Sequence, residues 1–373
     1  MRILQWVPFY LPEIGGIENT VHNLISNLGA RRGFEFAVVA SHGATSLPDR
    51  TEYDGVEVHR FHYRKALETG ALAQIIRVRK QIAGLKRDFR PDIVHVHFSD
   101  PSFYFHLQTL RSYPSRTIVT LHNSLSYLGA AGEGTLVAQM LKTADWVTGV
   151  SERTLLDAIE SVPEIEACSS VIYNGLPAAG FEPGSLNLEE PRLLCIGRLV
   201  VQKGFDVAID AAALMVKRLP LLKLTIAGEG TELGRLQERV ARHRLENHVE
   251  FVGAVSHDRV MRLMDESNVI LMPSRFEGFP LVALEAAQMG RLLVATNVDG
   301  LAEAIVHDET GVLVDTEDAT GLANSVISLL EDPDRARRLA ELARQRVERK
   351  FTLQACSRDY ENLYRRLAAQ KES

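Results

Sequence analysis

Short apolar runs alternate with helical patterns along this chain, and the scheme occurs twice. In the first half, seven runs read as strands, at residues 2–7, 36–40, 56–61, 92–97, 117–121, 146–150 and 170–172. The second half repeats the scheme from Arg192, with strands near Leu222, Val249, Val269, Leu292 and Val312. Alternating strands and helices require crossover connections. The pattern therefore predicts an α/β fold, with one parallel sheet in each half.

The length of 373 residues suits two domains better than one core. Residues 177–184 are rich in proline and glycine and have the composition of a linker. The last pattern places Tyr360, Leu363, Tyr364 and Leu367 at helical spacing. We therefore predict one domain over residues 1–177, a second over residues 191–355, and a terminal helix within residues 356–373.

Composition excludes several classes of protein. The formal net charge is -6, and we find no basic, aromatic-rich patch, so we expect no nucleic-acid partner. The three cysteines, Cys168, Cys195 and Cys356, lack the spacing of a zinc site or disulfide framework, which indicates a reducing compartment. No apolar run approaches the ~20 residues of a membrane span. We expect a cytoplasmic protein that could also contact the inner membrane surface.

Two glutamates at the end of an apolar strand carry the strongest chemical signal. Glu277 belongs to the loop Glu277-Gly278-Phe279-Pro280-Leu281, and Glu285 lies on the helix that follows. Pro280 suits the first turn of that helix. A helix that starts there leaves the amides of Gly278 to Leu281 free to donate to a diphosphate or to sugar hydroxyls.

Other glycine-containing blocks also follow predicted strands. They are Gly15-Gly16-Ile17-Glu18, Gly197-Arg198-Leu199-Val200-Val201-Gln202-Lys203-Gly204, Ala227-Gly228-Glu229-Gly230 and Phe251-Val252-Gly253. Glycines let the backbone approach a phosphate closely, and Arg198 and Lys203 can converge on a pyrophosphate from one loop. Open α/β sheets bind ligands at the carboxyl edge, where all these blocks lie.

In this order, the blocks resemble the retaining GT-B glycosyltransferases of family 4, whose hallmark is two glutamates separated by seven residues. The resemblance covers nearly the whole chain. It implies two Rossmann-like domains facing a cleft, with a terminal helix that crosses back to the first domain. It also implies metal-independent transfer of a hexosyl group from a nucleoside diphosphate sugar. The hydroxyl acceptor would be a glycan, a lipid-linked molecule or a small-molecule precursor.

The resemblance also assigns residues to roles. The catalytic set is His122, Arg198, Lys203 and Glu277. The donor-binding set is Gly15, Gly16, Arg198, Lys203, Gly228, Val252, Glu277, Gly278, Phe279, Pro280, Leu281 and Glu285. In relatives the Arg and Lys hold the diphosphate, the first Glu binds sugar hydroxyls and the second binds the ribose. His122 would lie against the donor sugar, although Asn123 replaces the Asp that usually follows. The segment Gly300-Leu301-Ala302-Glu303 lacks the usual proline, and we expect it to lie outside the chemistry.

Other interpretations stay open. A nicotinamide dehydrogenase should show Gly-x-Gly-x-x-Gly after the first strand, and Gly15-Gly16 does not supply it. A GT-B nucleotide-sugar 2-epimerase would release a free epimerised sugar without an acceptor. A non-catalytic nucleotide-sugar-binding protein would bind the donor and leave it intact. His95 and His97 share one strand face, and we expect packed or hydrogen-bonded roles for them instead of a metal site.

A basic amphipathic helix is predicted from Ala71 onward. Its apolar stripe contains Ile75, Val78, Ile82 and Leu85. Arg77, Lys80 and Arg87 fall on the opposite face, flanked by Arg79, Lys86 and Arg90. The pattern favours a core helix with a solvated cationic back. Because some relatives act on lipid-linked acceptors, peripheral contact with an anionic membrane is a second hypothesis.

Overall fold

The chain divides into two α/β units in a computed structural model. The structure describes residues 1–13, 15–43, 46–98, 100–125, 134–180 and 183–370. The N-terminal unit contains Met1–Pro177 together with Leu353–Ser373, and the C-terminal unit contains Ala178–Thr352. Phe181 and Glu182, which belong to the predicted linker, lie outside the described residues.

The N-terminal unit is built around an eight-stranded sheet. Its strands are β1 (Arg2–Trp6), β2 (Glu35–Ser41), β3 (Arg50–Tyr53), β4 (Val56–Phe61), β5 (Ile93–Phe98), β6 (Arg116–Leu121), β7 (Trp146–Gly149) and β8 (Ser169–Val171). Its helices up to the boundary are α1 (Gly16–Gly29), α2 (Tyr63–Thr69), α3 (Leu72–Phe89), α4 (Phe103–Leu107), α5 (Leu136–Thr143) and α6 (Glu152–Ser161). The strand order is β3-β4-β2-β1-β5-β6-β7-β8.

The prediction of one wholly parallel sheet is wrong at one edge. β3 pairs antiparallel with β4, whereas the other strand pairs of this sheet are parallel. The sequence of β3, Arg-Thr-Glu-Tyr, has no apolar run because this strand lies at the sheet edge. Asp54 and Gly55 between β3 and β4 both have positive φ, 51° and 79°. An Asp-Gly pair is the usual sequence of a tight hairpin, so the signal was present.

The C-terminal unit contains a six-stranded parallel sheet in the order β11-β10-β9-β12-β13-β14. Its strands are β9 (Arg192–Ile196), β10 (Lys223–Ala227), β11 (Val249–Gly253), β12 (Val269–Met272), β13 (Leu292–Thr296) and β14 (Val312–Val314). Its helices are α7 (Phe205–Met215), α8 (Leu233–His243), α9 (His257–Asp265), α10 (Leu281–Gln288), α11 (Asp299–Ala304), α12 (Ala319–Glu331) and α13 (Pro333–Lys350). The predicted strands of both halves agree with these bounds to within one or two residues.

The last helix, α14 (Leu353–Ala369), belongs to the N-terminal unit although it follows the C-terminal unit in the chain. Its apolar stripe contributes Cys356, Tyr360, Leu363, Tyr364 and Leu367 to the core on one face of the first sheet. Burial of this stripe provides the hydrophobic stabilisation that holds the terminal segment on this unit.

The predicted position of Lys86 on the flank of a cationic face is wrong. Lys86 is fully buried, and its Nζ donates to His106 Nδ1 (3.0 Å) and to the carbonyl oxygen of Thr109 (3.4 Å). Nζ also lies 5.9 Å from the centre of the Trp6 ring. A long aliphatic stem lets lysine lie along an apolar surface, which helical spacing alone does not reveal. The other five basic residues of the predicted face are exposed: Arg77, Arg79, Lys80, Arg87 and Arg90.

In the part of the chain that the structure describes, no helix combines the length and the apolar character needed to cross a bilayer.

Lys86 should make the stability of the N-terminal unit depend on pH. Burial lowers the pKa of Lys86 from 10.5 to about 7. The unfolded chain therefore holds a proton between pH 7 and pH 10.5 that the folded chain releases. The penalty for burying the amine is full below pH 7 and disappears as the pH rises to 10.5. Over this window the group should raise the free energy of unfolding by about 1.4 kcal/mol per pH unit.

Denaturant unfolding of the protein and of Lys86→Met between pH 7 and pH 10 measures this effect. The variant lacks the titrating amine, so its stability relative to the native chain should be highest at pH 7 and should fall as the pH rises. A difference that does not change with pH would mean that Lys86 is charged and solvated in the native state.

Candidate functional site

Two loops meet at the carboxyl edge of the second sheet, where the chain changes direction across the sheet. From β9 the chain passes to β10 on one side, and β12 later pairs with β9 on the other side. The loop after β9 and the loop after β12 therefore flank the switch point, which is where open α/β sheets bind ligands. Arg198 and Lys203 lie on the first loop, and Glu277 lies on the second.

Glycines allow these loops and their neighbours to pack backbone against backbone. Gly204 has φ 63°, and a Cβ added there would lie 1.9 Å from the carbonyl oxygen of Pro273. Gly228, which has φ 140° and follows β10, would bring a Cβ within 1.9 Å of the carbonyl oxygen of Gly197. Any side chain at these two positions would push the loops apart. The glycines of the sequence motifs thus set how closely the loops approach each other.

Lys203 and Glu277 form an ion pair across the switch point. Lys203 Nζ donates to Glu277 Oε1 at 2.5 Å, and the hydroxyl of Ser274 donates to the same oxygen at 2.8 Å. The Glu277 side chain is 7% exposed and that of Lys203 is 19% exposed. A carboxylate buried to this degree needs a compensating cation, so each of the two charges holds the other in place.

Hydrogen bonds and ion pairs of two side chains that were not predicted as site residues, Gln202 and Arg275, hold the two loops together. Arg275 forms ion pairs with Asp206 at 3.0 Å and with Glu317 at 2.6 Å. These carboxylates hold the pKa of Arg275 above its ordinary value. Gln202 donates its side-chain amide to the carbonyl oxygen of Phe276 and accepts the backbone N–H of Arg275 on its own carbonyl oxygen. None of these residues stands in a spacing that marks it in sequence, because each partner lies more than 40 residues away.

The Gly300 segment, which we expect to lie outside the chemistry, contacts the backbone of the Glu277 loop. The backbone N–H of Gly300 donates to the carbonyl oxygen of Glu277 at 3.2 Å. The backbone N–H of Glu277 donates to Asp299 Oδ2 at 3.4 Å. A Cβ at position 300 would lie 1.9 Å from the carbonyl oxygen of Gly278, so only glycine fits. This segment therefore holds the Glu277 loop in place by backbone hydrogen bonds and close packing.

Helix α10 begins one residue later than predicted. Pro280 is extended, with ψ 117°, and acts as the N-cap, while Leu281 is the first helical residue. No side chain caps this end among the described residues, so its first amides remain available to a ligand. The ring of Phe279 is buried against Phe351, with 5.1 Å between ring centroids. Phe279 and Pro280 therefore anchor the loop, and only their backbone can face a ligand.

Glu285 lies in the second half of α10 and is half-buried. Burial raises the pKa of its carboxyl group, and the nearby charge of His257 opposes this rise. No ion-pair or hydrogen-bond partner of the Glu285 side chain is found among the described residues. A carboxylate in this state gains most from ligand hydroxyl groups that donate to it.

Arg198 differs from Lys203 because its side chain is exposed and has no partner within the described residues. Its guanidinium group is free to bind an anion. Val252 lies near the end of the edge strand β11 and is partly exposed, and the backbone N–H of Gly228 donates to Gly253 beside it. Arg198, Gly228 and Val252 thus share one edge of the second sheet with Glu277.

Gly15 and Gly16 stand at the N-terminus of α1, after β1 of the first sheet. A Cβ on Gly16 would meet nothing within 4 Å, so a ligand can approach this backbone closely. A Cβ on Gly15 would lie 2.5 Å from Glu18 Oε2, because the Glu18 carboxylate folds back over the turn. The two glycines are therefore not equivalent. Gly16 leaves open space beside the backbone, whereas Gly15 leaves room for the Glu18 carboxylate.

His122 follows β6 at the carboxyl edge of the first sheet and is 7% exposed. Its Nε2 lies 3.0 Å from His97 Nδ1. Burial lowers the pKa of His122 to about 3, so the imidazole is neutral at pH 7. A neutral ring can hydrogen-bond a hydroxyl group but offers no positive charge to a phosphate.

Comparisons with known proteins agree with this architecture. A model of glycosyltransferase family 4 matches residues 14–179, and a model described as glycosyl transferases group 1 matches residues 180–346. A glycogen synthase of Mycobacterium tuberculosis is 31% identical over the whole chain and 95% of its own length.

Solved structures show the GT-B fold. Sucrose-phosphate synthase from Thermosynechococcus elongatus superposes with a TM-score of 0.84 at 24% identity, over 99% of each chain. Anabaena HepE, in a complex with UDP-glucose, superposes with a TM-score of 0.78 at 19% identity, over 97% of this chain and 99% of its own. Together with the sequence matches, they show that the chain belongs to the glycosyl transferases group 1 family, the family 4 enzymes of GT-B fold that transfer sugars from nucleotide-sugar donors.

Proposed function

We propose that Lys203, Glu277 and Arg198 form the donor site of a retaining hexosyltransferase. The observation that carries this proposal is the buried ion pair of Lys203 and Glu277 across the β9–β12 switch point. The leaving group of the reaction is a nucleoside diphosphate, whose negative charge grows as the glycosidic bond breaks. Arg198, Lys203 and the first amides of α10 would donate to that charge, and stabilising a charge that grows in the transition state speeds the reaction.

The resemblance to the family assigns roles to the remaining residues. Glu277 would accept hydrogen bonds from sugar hydroxyls when Lys203 turns towards the diphosphate. Glu285, half-buried and without a side-chain partner in the described part of the chain, would accept the ribose hydroxyls. Gly228 and Val252 would lie beside the nucleoside. In the N-terminal unit, the open backbone at Gly16 would face a donor phosphate and His122 would accept from the sugar.

We propose that the reaction needs no divalent metal. Lys203 and Arg198 already supply two positive charges, and Glu277 is engaged by Lys203 and Ser274. Because a relative is named glycogen synthase, a glucosyl donor and a glycan acceptor are the first to test. Thermal shifts with UDP-, GDP- and ADP-sugars would identify the base and sugar, since a ligand that binds only the native state raises the melting temperature.

We propose that the protein acts in the cytoplasm, where nucleotide sugars are available, and that it also contacts the membrane surface. Cys168, Cys195 and Cys356 are free thiols, which fits a reducing compartment. The apolar residues Ile75, Val78, Ile82 and Leu85 of α3 pack on the core. Only its cationic face therefore remains for a membrane, and any attachment would be electrostatic.

Arg198→Ala should lower kcat/KM for transfer by roughly 30- to 1000-fold, because one charged donor to the leaving group is worth about 2 to 4 kcal/mol. The melting temperature should not change, since the side chain is exposed and has no partner within the described residues. Steady-state kinetics and thermal unfolding measure the two effects. Arg242→Ala, at an exposed position on α8, is the matched control and should leave both unchanged. Near-native turnover in Arg198→Ala would remove the residue from the donor site.

Lys203 and Glu277 should be coupled in stability and also in catalysis. Lys203→Met leaves a buried carboxylate without its cation and should cost about 3 kcal/mol of unfolding free energy. Adding Glu277→Gln should restore most of that loss, while transfer stays absent in the double variant. Glu277→Gln alone should still bind UDP or GDP in calorimetry but lose most transfer.

The exposed pair Arg218–Glu331 in the same unit is the control, and Arg218→Met should cost less than about 1 kcal/mol. Equal stability of Lys203→Met and the native chain would mean that the ion pair does not form in solution. Equal loss of nucleotide affinity and turnover in Glu277→Gln would move Glu277 to the nucleotide subsite.

Membrane contact would depend on Arg77, Lys80 and Arg87, each worth about 1 kcal/mol near an anionic surface. The protein should co-sediment with vesicles of anionic lipid and not with neutral vesicles, and salt should weaken the binding. Changing the three residues to Gln should abolish it. Changing Arg337, Arg338 and Arg349 of α13 to Gln removes the same net charge from another exposed face and should leave it intact. Indifference to lipid charge would favour a soluble acceptor.

A further inference from the structure

A chain of hydrogen-bonded side chains links His122 to the terminal helix α14 inside the N-terminal unit. His122 Nε2 contacts His97 Nδ1 at 3.0 Å, and His97 Nε2 contacts Gln5 Oε1 at 2.8 Å. Gln5 Nε2 donates to the hydroxyl of Tyr364 at 3.1 Å. His122 lies just after β6, and the other residues lie on β5, β1 and α14, so these hydrogen bonds cross the centre of the sheet.

The chain continues from Tyr364 back into the sheet. The Tyr364 hydroxyl lies 2.7 Å from His95 Nδ1, and His95 Nε2 lies 2.7 Å from Thr120 Oγ1. The Tyr360 hydroxyl lies 3.1 Å from the same Thr120 oxygen. Tyr364 of α14 is therefore the partner of His95 Nδ1, and Tyr360 joins the same buried polar network through Thr120.

The imidazoles of this network are buried and neutral. Burial lowers the pKa of His95 and of His122 to about 3, and it lowers the pKa of His97 well below its ordinary value. Each ring therefore carries one proton on one nitrogen, and its two nitrogens play opposite roles, one as donor and one as acceptor.

The orientation of Gln5 sets the direction of every bond towards His122. Because the amide oxygen of Gln5 faces His97, His97 Nε2 carries the proton and donates to it. His97 Nδ1 is then an acceptor, and His122 Nε2 must carry the proton that it receives. The amide NH₂ of Gln5 faces Tyr364, which in turn donates its hydroxyl proton to His95 Nδ1. All the bonds along this path are satisfied in one consistent direction.

We propose that α14, through Tyr364, Gln5 and His97, holds His122 in the Nε2–H tautomer, so that its Nδ1 is a fixed acceptor for a hydroxyl group of the donor sugar. Nδ1 of His122 has no hydrogen-bond partner among the described residues. The acceptor role rests on the proposed function, in which His122 contacts the donor sugar. Tyr364, Gln5 and His97 are then positioning residues, and the terminal helix has a role in the reaction besides closing the core.

The tautomer can be measured without any activity. Long-range ¹H–¹⁵N correlation spectra of the full chain labelled at its 12 histidines distinguish Nε2–H from Nδ1–H rings, and His122→Gln identifies the signal of His122. We expect a single Nε2–H form for His122. A ring protonated at Nδ1, or a mixture of both forms, would overturn the proposal.

Tyr364→Phe tests the contribution of the helix because it removes the hydroxyl and keeps the ring. Gln5 then loses its acceptor, so we expect a mixed His122 tautomer and a fall in kcat/KM of roughly fivefold, the worth of one ordinary hydrogen bond. Tyr63→Phe is the matched control. Tyr63 is also fully buried, and its hydroxyl donates to the carbonyl oxygen of Val7, outside the network. The control should keep the native tautomer and rate.

An unchanged His122 tautomer in Tyr364→Phe would overturn the role of α14. Failure of the proposed function has a different signature. A His122→Gln variant that transfers sugar at the native rate, in a protein whose His122 shows the Nε2–H form, would overturn the acceptor role of Nδ1. The His122 tautomer and its control by α14 would then still hold, without a role in sugar transfer.

Discussion

The ion pair between Lys203 and Glu277 is the interaction on which the candidate site of the C-terminal unit depends. It connects the loops after β9 and β12, which lie on opposite sides of the switch point. Gly204 and Gly300 let neighbouring backbones approach closely enough for the pair to form. A buried charge pair contributes little net stability, because desolvation offsets most of the attraction. In the proposed function, the pair keeps an ammonium group and a carboxylate in place for a charged ligand.

In the N-terminal unit the constraint is different, because buried polar residues in the middle of its sheet need hydrogen-bond partners. Gln5, His95 and His97 occupy central strands that would normally be apolar. Tyr364 completes the hydrogen bonds of Gln5 and His95, so these two buried groups would each lose a partner without α14. This dependence explains in physical terms why the last helix belongs to the first unit. Lys86 lies outside this network: it is a buried amine whose hydrogen-bond partners, His106 and the carbonyl group of Thr109, are neutral.

Much of this molecule could be predicted from sequence, and the exceptions have physical causes. Buried parallel strands are continuous apolar runs, so their positions were predicted to within two residues. The edge strand β3 was missed because it is half-polar. The position of Glu277 was predicted, but not its contact with Asp299, which lies 22 residues further along the chain. The ion pairs of the neighbouring Arg275 were missed for the same reason, because both partners lie more than 40 residues away. Lys86 was misplaced because periodicity shows which face a residue lies on and not where a flexible side chain ends.

The central claim is that Lys203 exchanges Glu277 for the donor diphosphate. A crystal structure of the full chain with the nucleoside diphosphate chosen by thermal-shift screening tests it most directly. We expect phosphate oxygens to contact Lys203 Nζ, the Arg198 guanidinium and the first amides of α10, with the Lys203–Glu277 distance lengthened. A diphosphate bound away from these groups, with the ion pair still at hydrogen-bond distance, would contradict it.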